Sequence, residues 1–133
     1  MPILIGVLLA ASVGLFATVV GLDRDRAFYP TVMIVIALLY ALFAVMGGST
    51  QALVAESLAG AVFIAAAVAG FKRSLWLVAA ALAAHGVFDF VHASLIPNPG
   101  VPPWWPGFCL GYDVMAGAWL AWLIRSGRVR AAA

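Results

Sequence analysis

Charge is what this sequence most conspicuously lacks. Seven basic and five acidic side chains make 9% of its 133 residues charged, against roughly a quarter in an ordinary soluble domain. A water-soluble domain of this size keeps much of its surface wet and needs a polar shell, which so few charges cannot provide. Cysteine is nearly absent as well: the single Cys109 excludes an intrachain disulfide and any site built from several thiolates, and leaves the redox compartment open. There is no internal repeat, no Gly-rich phosphate loop and no Ser-His-Asp order. Nor do the apolar stretches alternate in segments of about ten residues, as the strands of a membrane barrel would.

What is present is hydrophobic sequence. Hydrophobic residues make up 66% of the chain and the mean hydropathy is +1.13. The apolar runs approach the ~20 residues that carry a helix across a bilayer core. These features predict an all-α integral membrane bundle forming a single domain, and exclude a soluble enzyme, a nucleic-acid binder and a disordered segment. Five spans are expected, over about 2–22, 30–46, 51–71, 74–96 and 106–124, with a basic tail at 125–133. The breaks are Asp23-Arg24-Asp25-Arg26, Gly47-Gly48-Ser49-Thr50, Lys72-Arg73 and a proline-rich loop after Ile96. Pro30 suits a first helical turn, and Ser74 reads as an N-cap. The first span lacks the basic n-region and short apolar core of a cleaved signal peptide.

Charge placement supports the count independently. With five spans, Arg24, Arg26, Lys72, Arg73, Arg125, Arg128 and Arg130, which are all the basic residues, fall on one side. The sequence pI of about 9.1 therefore has a membrane explanation. The positive-inside rule puts the N-terminus outside and the C-terminus in the cytoplasm, and helical spans with this bias point to a bacterial inner (plasma) membrane. Alanine runs in spans three and four and the Gly107/Gly111 pair in span five provide the small surfaces through which helices associate in lipid. Trp104 and Trp105 fit an outer aromatic belt, and Trp76 an inner anchor.

Five ionisable groups nevertheless fall inside the spans: Glu56, His85, Asp89, His92 and Asp113. A charge at a helix centre costs roughly 2.5–3.5 kcal/mol on insertion scales, so such groups face the bundle interior and find partners there. At ~100° per residue, His85, Asp89 and His92 form one stripe on span four; Cys109, Tyr112 and Asp113 share a face of span five. From the 1.5 Å rise, His92 and Glu56 lie roughly 6 Å below the outer surface, Asp89 and Asp113 roughly 10–12 Å, and His85 near mid-membrane. No Lys or Arg is at hand, so the carboxylates must take up protons or share a cation.

The expected function is a small membrane metalloprotein. His85, Asp89, His92 and Asp113 are the expected ligands of a divalent metal, zinc or iron, and Glu56 and Asp89 the expected catalytic carboxylates, Glu56 as a further ligand or general base. The Glu-x-x-His motif of di-metal carboxylate bundles is absent. Metal-assisted hydrolysis or oxidation of a lipophilic substrate in the outer half of the membrane follows from such a site. Two other readings of the same residues stand beside it. One is a metal-free protein that handles protons or binds a small molecule; the other is an accessory subunit whose polar stripe docks a partner helix. Expected partners are membrane lipid, a lipophilic substrate, and a second copy or another membrane subunit, but not nucleic acid. Cys109 reads as a small buried hydrophobe or as a ligand or nucleophile, Tyr40 as packing, and Tyr112 as a residue orienting Asp113 or lying at the interface. The stiff loop with its five prolines and Trp104-Trp105 reads as a lid or entry point over the polar site, or as a simple interfacial spacer.

Overall fold

The computed structural model describes residues 1–133. It contains five helices and no strands: α1 (Pro2–Val20), α2 (Phe28–Met46), α3 (Thr50–Lys72), α4 (Leu75–His92) and α5 (Trp105–Arg125). All five are long and apolar enough to cross a membrane, and large apolar side chains such as Leu4, Phe16, Val54 and Phe90 are exposed on the outside of the bundle. Five apolar helices with lipid-like exteriors suggest a membrane protein.

Local chemistry explains where the helices end. α1 stops at Val20 because Gly21 takes a left-handed conformation, φ 89°, with the N–H groups of Gly21 and Leu22 both turned back to the Ala17 carbonyl, a glycine-terminated C-cap. α2 starts two residues before Pro30, which therefore occupies the first turn. Ser49 caps α3, its hydroxyl oxygen accepting from the Ala52 N–H at 3.1 Å. Ser74 sits at the N-cap position of α4, yet its hydroxyl makes no capping bond. α4 ends at His92 rather than running to residue 96, because the Leu95 and Ile96 N–H groups fold back onto the His92 carbonyl.

α5 is central. It packs against α1 on one side and α4 on the other; α4 continues to α3, α3 to α2, and α2 also touches α4. α1 and α2, adjacent in the chain, make no comparable interface. Close backbone approach draws α1 to α5: a methyl group on Gly6 would overlap the Phe108 carbonyl, and one on Gly111 the Ile3 carbonyl. Gly107, by contrast, makes ordinary contacts to Ile3 and Pro2. Between α4 and α5, a methyl on Gly117 would stand 2.8 Å from the Ala79 carbonyl oxygen. Small residues thus bring the helices together as membrane packing requires.

The two ends of the bundle differ. At the basic end, the Arg26 guanidinium donates to the carbonyls of Arg130 and Ala131 at 2.9 and 2.8 Å and to that of Phe71 at 2.8 Å. This gathers the α1–α2 turn, the end of α3 and the C-terminal tail. The tail is further held by the Leu75 N–H on the Ala131 carbonyl. Above this end lies a dry core containing Met33, Leu75, Val78, Leu82, Leu120 and Leu123. Most of the buried polar groups lie nearer the opposite end, which carries the proline-rich loop. Asp23 is an exception: it is buried at the basic end, where it accepts from the Thr18 hydroxyl at 2.7 Å.

Candidate metal centre

α4 and α5 meet through the gap left by Gly86, where a methyl group would come 3.1 Å from Asp113 Cβ. The absence of a side chain there lets the Asp113 carboxylate reach the next residue back, His85. His85 Nδ1 lies 2.8 Å from Asp113 Oδ2 and 3.3 Å from Asp89 Oδ2. One ring nitrogen thus faces two carboxylates, one four residues along its own helix and one from the neighbouring helix. Ligand atoms of His85, Asp89 and Asp113 all lie within 4.8 Å of one another, and all three residues are buried.

The donor set is short of partners. Both Asp89 oxygens and Asp113 Oδ1 are buried without a hydrogen bond. In a neutral imidazole at most one proton sits on Nδ1, so it can serve only one of the facing oxygens well. Buried unsatisfied carboxylate oxygens are costly, and a cation bound among them removes that cost. Ligand atoms around a tetrahedral ion at ~2.0–2.2 Å stand roughly 3.3–3.5 Å apart. The His85–Asp89 separation already fits that edge, and the His85–Asp113 separation needs to open by about half an ångström. One imidazole nitrogen and two carboxylates could therefore hold a divalent metal ion, with positions left over for other ligands.

His92 and Glu56, expected in the same site, form a separate pair. His92 Nε2 is 2.7 Å from Glu56 Oε1, and the same oxygen accepts from the Asn98 side-chain amide at 2.8 Å. The reason is helical pitch. Seven residues return a side chain to the same face but advance it about 10 Å along the axis, so His92 shares the stripe of His85 without sharing its depth. The four residues expected as one ligand set are therefore grouped as three, with His92 one level nearer the loop.

Asn98, the chain's single asparagine, escaped the sequence reading. Its amide also donates to the Tyr40 carbonyl at 3.1 Å, and its Oδ1 accepts from the Gly100 N–H at 3.1 Å. It pins the proline-rich loop to the bundle directly over the His92–Glu56 pair. The available signal was an amide with two donors placed between two prolines that donate nothing. Tyr40 lies against His92 with ring centroids 4.1 Å apart, and its buried hydroxyl has no partner. Tyr112 stacks on Phe108 and makes no hydrogen bond to Asp113, whose Oδ1 stays unpartnered.

Two openings border the polar groups. A cavity of ≈ 340 Å³ under the loop is lined by His92, Asn98, Val101 and several prolines. A cleft of ≈ 360 Å³ lies where α1 and α2 part, with α5 as its floor; Cys109 and Asp113 line it. Cys109 is buried and free, one turn before Asp113. No protein family, curated protein or solved structure matches this chain.

Proposed function

We propose that this protein is a small integral membrane metalloenzyme acting on a lipophilic substrate. His85, Asp89 and Asp113 hold a zinc or iron ion. The observation that carries the reading is the convergence of one imidazole nitrogen and two buried carboxylates, whose free oxygens are approached by no donor beyond the Cys109 thiol beside Asp89. A bound divalent ion would supply Lewis acidity, or redox chemistry in the case of iron. Asp89 and Asp113 provide the negative charge that retains it, and the buried surroundings keep bulk water from competing.

Glu56 is the carboxylate left for proton handling. It is fixed by His92 and Asn98 beneath the loop cavity, a position suited to exchanging protons with the surface. The gathering of the Arg26 turn, the Lys72-Arg73 turn and the tail at one end supports an orientation with that end in the cytoplasm of a bacterial inner membrane. The polar groups then lie in the outer half. A metal-free reading also has an observation in its favour: 2.8 Å between His85 and Asp113 is a normal hydrogen-bond length, so a proton shared between them could occupy the same place.

Elemental analysis of protein purified in mild detergent decides between the two. The metalloenzyme reading expects one zinc or iron per chain, lost in Asp113→Ala and Asp89→Ala and retained in His92→Ala. Wild-type protein that carries no metal after growth and purification with zinc and iron supplied overturns the metalloenzyme reading and leaves the metal-free ones.

A further inference from the structure

The cleft between α1 and α2 is the least expected feature of the fold, because helices joined by a seven-residue turn ordinarily pack together. Here α1 is drawn away to α5. Its walls are apolar: Leu9 on α1, and Val35, Ile36 and Leu39 on α2. Its floor is the stripe of α5 that carries Trp105, Cys109 and Asp113 at i, i+4 and i+8. The same carboxylate therefore belongs to the candidate metal centre and to a groove facing the surroundings of the bundle.

Besides Tyr112 and Thr31, whose hydroxyl is turned back to the Ala27 carbonyl, two polar groups without a partner line this groove. Trp105 lines it at the loop end, and its indole N–H is buried without a partner. Asp113 lies eight residues further along α5, about 12 Å down the helix axis, and offers an unpartnered oxygen. Between and below them the walls are largely hydrocarbon, extending along α2 from Leu39 to Phe28, roughly 16 Å. A partner helix, ~10 Å across, would cover the mouth of this open cleft without filling it. A single hydrocarbon chain fits, and the volume lies in the range typical of small-molecule sites.

We infer that the α1–α2 cleft binds one long-chain amphiphile of the single-chain type, an alcohol or acid. Its oxygen accepts from Trp105 at the loop end, and its hydrocarbon tail runs toward the basic end past Cys109 and Asp113. This rests on the proposed metalloenzyme and narrows its substrate class. The candidate metal centre then borders the chain at the level of Asp113, about 12 Å from its oxygen.

The probe is hexadecanol carrying a mid-chain diazirine, photolysed with the protein in phosphatidylcholine nanodiscs and mapped by peptide mass spectrometry. Expected labelling saturates and falls on α2 around Val35–Leu39 and on α5 around Cys109, despite the excess of phospholipid. Filling the cleft from either wall, by Val35→Trp or Leu9→Trp, reduces it about tenfold, and Trp105→Phe weakens it roughly two- to tenfold, as for one net hydrogen bond. All three variants keep the wild-type melting temperature and metal content. Labelling that rises without saturation, reaches Leu58 and Val62 on the exposed face of α3 equally, or is displaced by adding phospholipid overturns the inference. Metal measured on the same samples separates the two claims. Saturable labelling without metal defeats the metalloenzyme and leaves the chain site, and stoichiometric metal with unsaturable labelling does the reverse.

Discussion

His85 Nδ1 and Asp113 Oδ2 face each other at 2.8 Å across the α4–α5 interface, beside Gly86, where a side chain would press on Asp113 Cβ at 3.1 Å. Backbone packing and site chemistry are therefore one problem in this protein. The small residue that lets the helices touch also sets the depth at which their polar groups meet.

The first prediction concerns Asp113→Asn. The amide keeps the shape and an acceptor for His85 but removes a buried negative charge. Metal content should fall from one ion per chain to near zero. Without metal, the variant should unfold at the same temperature as chelator-treated wild type or higher, because a buried charge lacking its counter-charge is destabilising. Adding metal at a hundredfold excess over Kd should stabilise wild type by about 2.7 kcal/mol and leave the variant unchanged. Thermal unfolding in detergent with and without metal measures both.

A pair of glycine variants separates packing from chemistry. Gly117→Ala places a methyl 2.8 Å from the Ala79 carbonyl oxygen in the apolar half of the interface, a clash that only a backbone shift can relieve. The expected cost is about 1–3 kcal/mol, with metal stoichiometry unchanged. Gly86→Ala meets Asp113 Cβ at 3.1 Å and the Leu110 carbonyl at 3.3 Å, so a displacement of a few tenths of an ångström falls on the site itself. Its metal affinity should drop roughly tenfold, the scale seen when groups supporting a metal's ligands are disturbed, with a smaller loss of stability. Unfolding midpoints and metal titrations of both proteins check the contrast.

The helices were readable from the sequence because their signal is length and hydropathy, which need no tertiary information. Their ends were less so, since the turn after His92 and the glycine cap at Gly21 depend on backbone geometry that neighbouring residues settle together. Angular periodicity put His85, Asp89 and His92 on one face, and the helical rise put His92 level with Glu56 and His85 deeper, as their pairing in the fold bears out. Only the partner helix reveals that Asp113, read as lying above His85, reaches its Nδ1. Asn98 and the buried Asp23 were hidden for a related reason: both lie in polar breaks, where sequence gives no means of telling a solvated side chain from one folded back onto the bundle. The divergence of α1 from α2 was equally out of reach, because it follows from the Gly6 and Gly111 contacts to α5, and hydropathy does not register which helix a glycine faces.

Asn98→Ala should loosen the loop and spare the metal. It removes the donors to Glu56 Oε1 and the Tyr40 carbonyl together with the acceptor for the Gly100 N–H. Hydrogen exchange of Gly100 and Val101 should accelerate, and stability should fall by about 1–3 kcal/mol for the groups left unsatisfied. Metal content should stay at the wild-type level, because His85, Asp89 and Asp113 make no contact through this residue. Glu56→Gln retains a carbonyl oxygen that both His92 and Asn98 can reach, so its loop exchange should stay close to wild type. Loss of metal in either variant would show that the two polar levels are coupled more tightly than their geometry indicates.

At the other end, Arg26 makes the least replaceable contacts in the fold. Its two terminal nitrogens reach three carbonyls, those of Arg130, Ala131 and Phe71, the last in the final turn of α3, where positive charge is favoured by the helix dipole. Its own backbone pays in strain, with φ 72° at a residue that is not glycine. Arg26→Ala should destabilise by about 1.5–3 kcal/mol, the range for charged hydrogen bonds, and free the tail for proteolysis after Arg128 or Arg130. Arg26→Lys keeps the charge, but a single ammonium cannot hold carbonyls on both sides of the junction, so it should recover less than half of the loss. Arg26→Gly relieves the backbone strain and forfeits every bond. Measured unfolding midpoints should therefore rank wild type above Arg26→Lys and Arg26→Lys above Arg26→Ala, and a glycine variant as stable as wild type would mean that relief of strain outweighs the three hydrogen bonds.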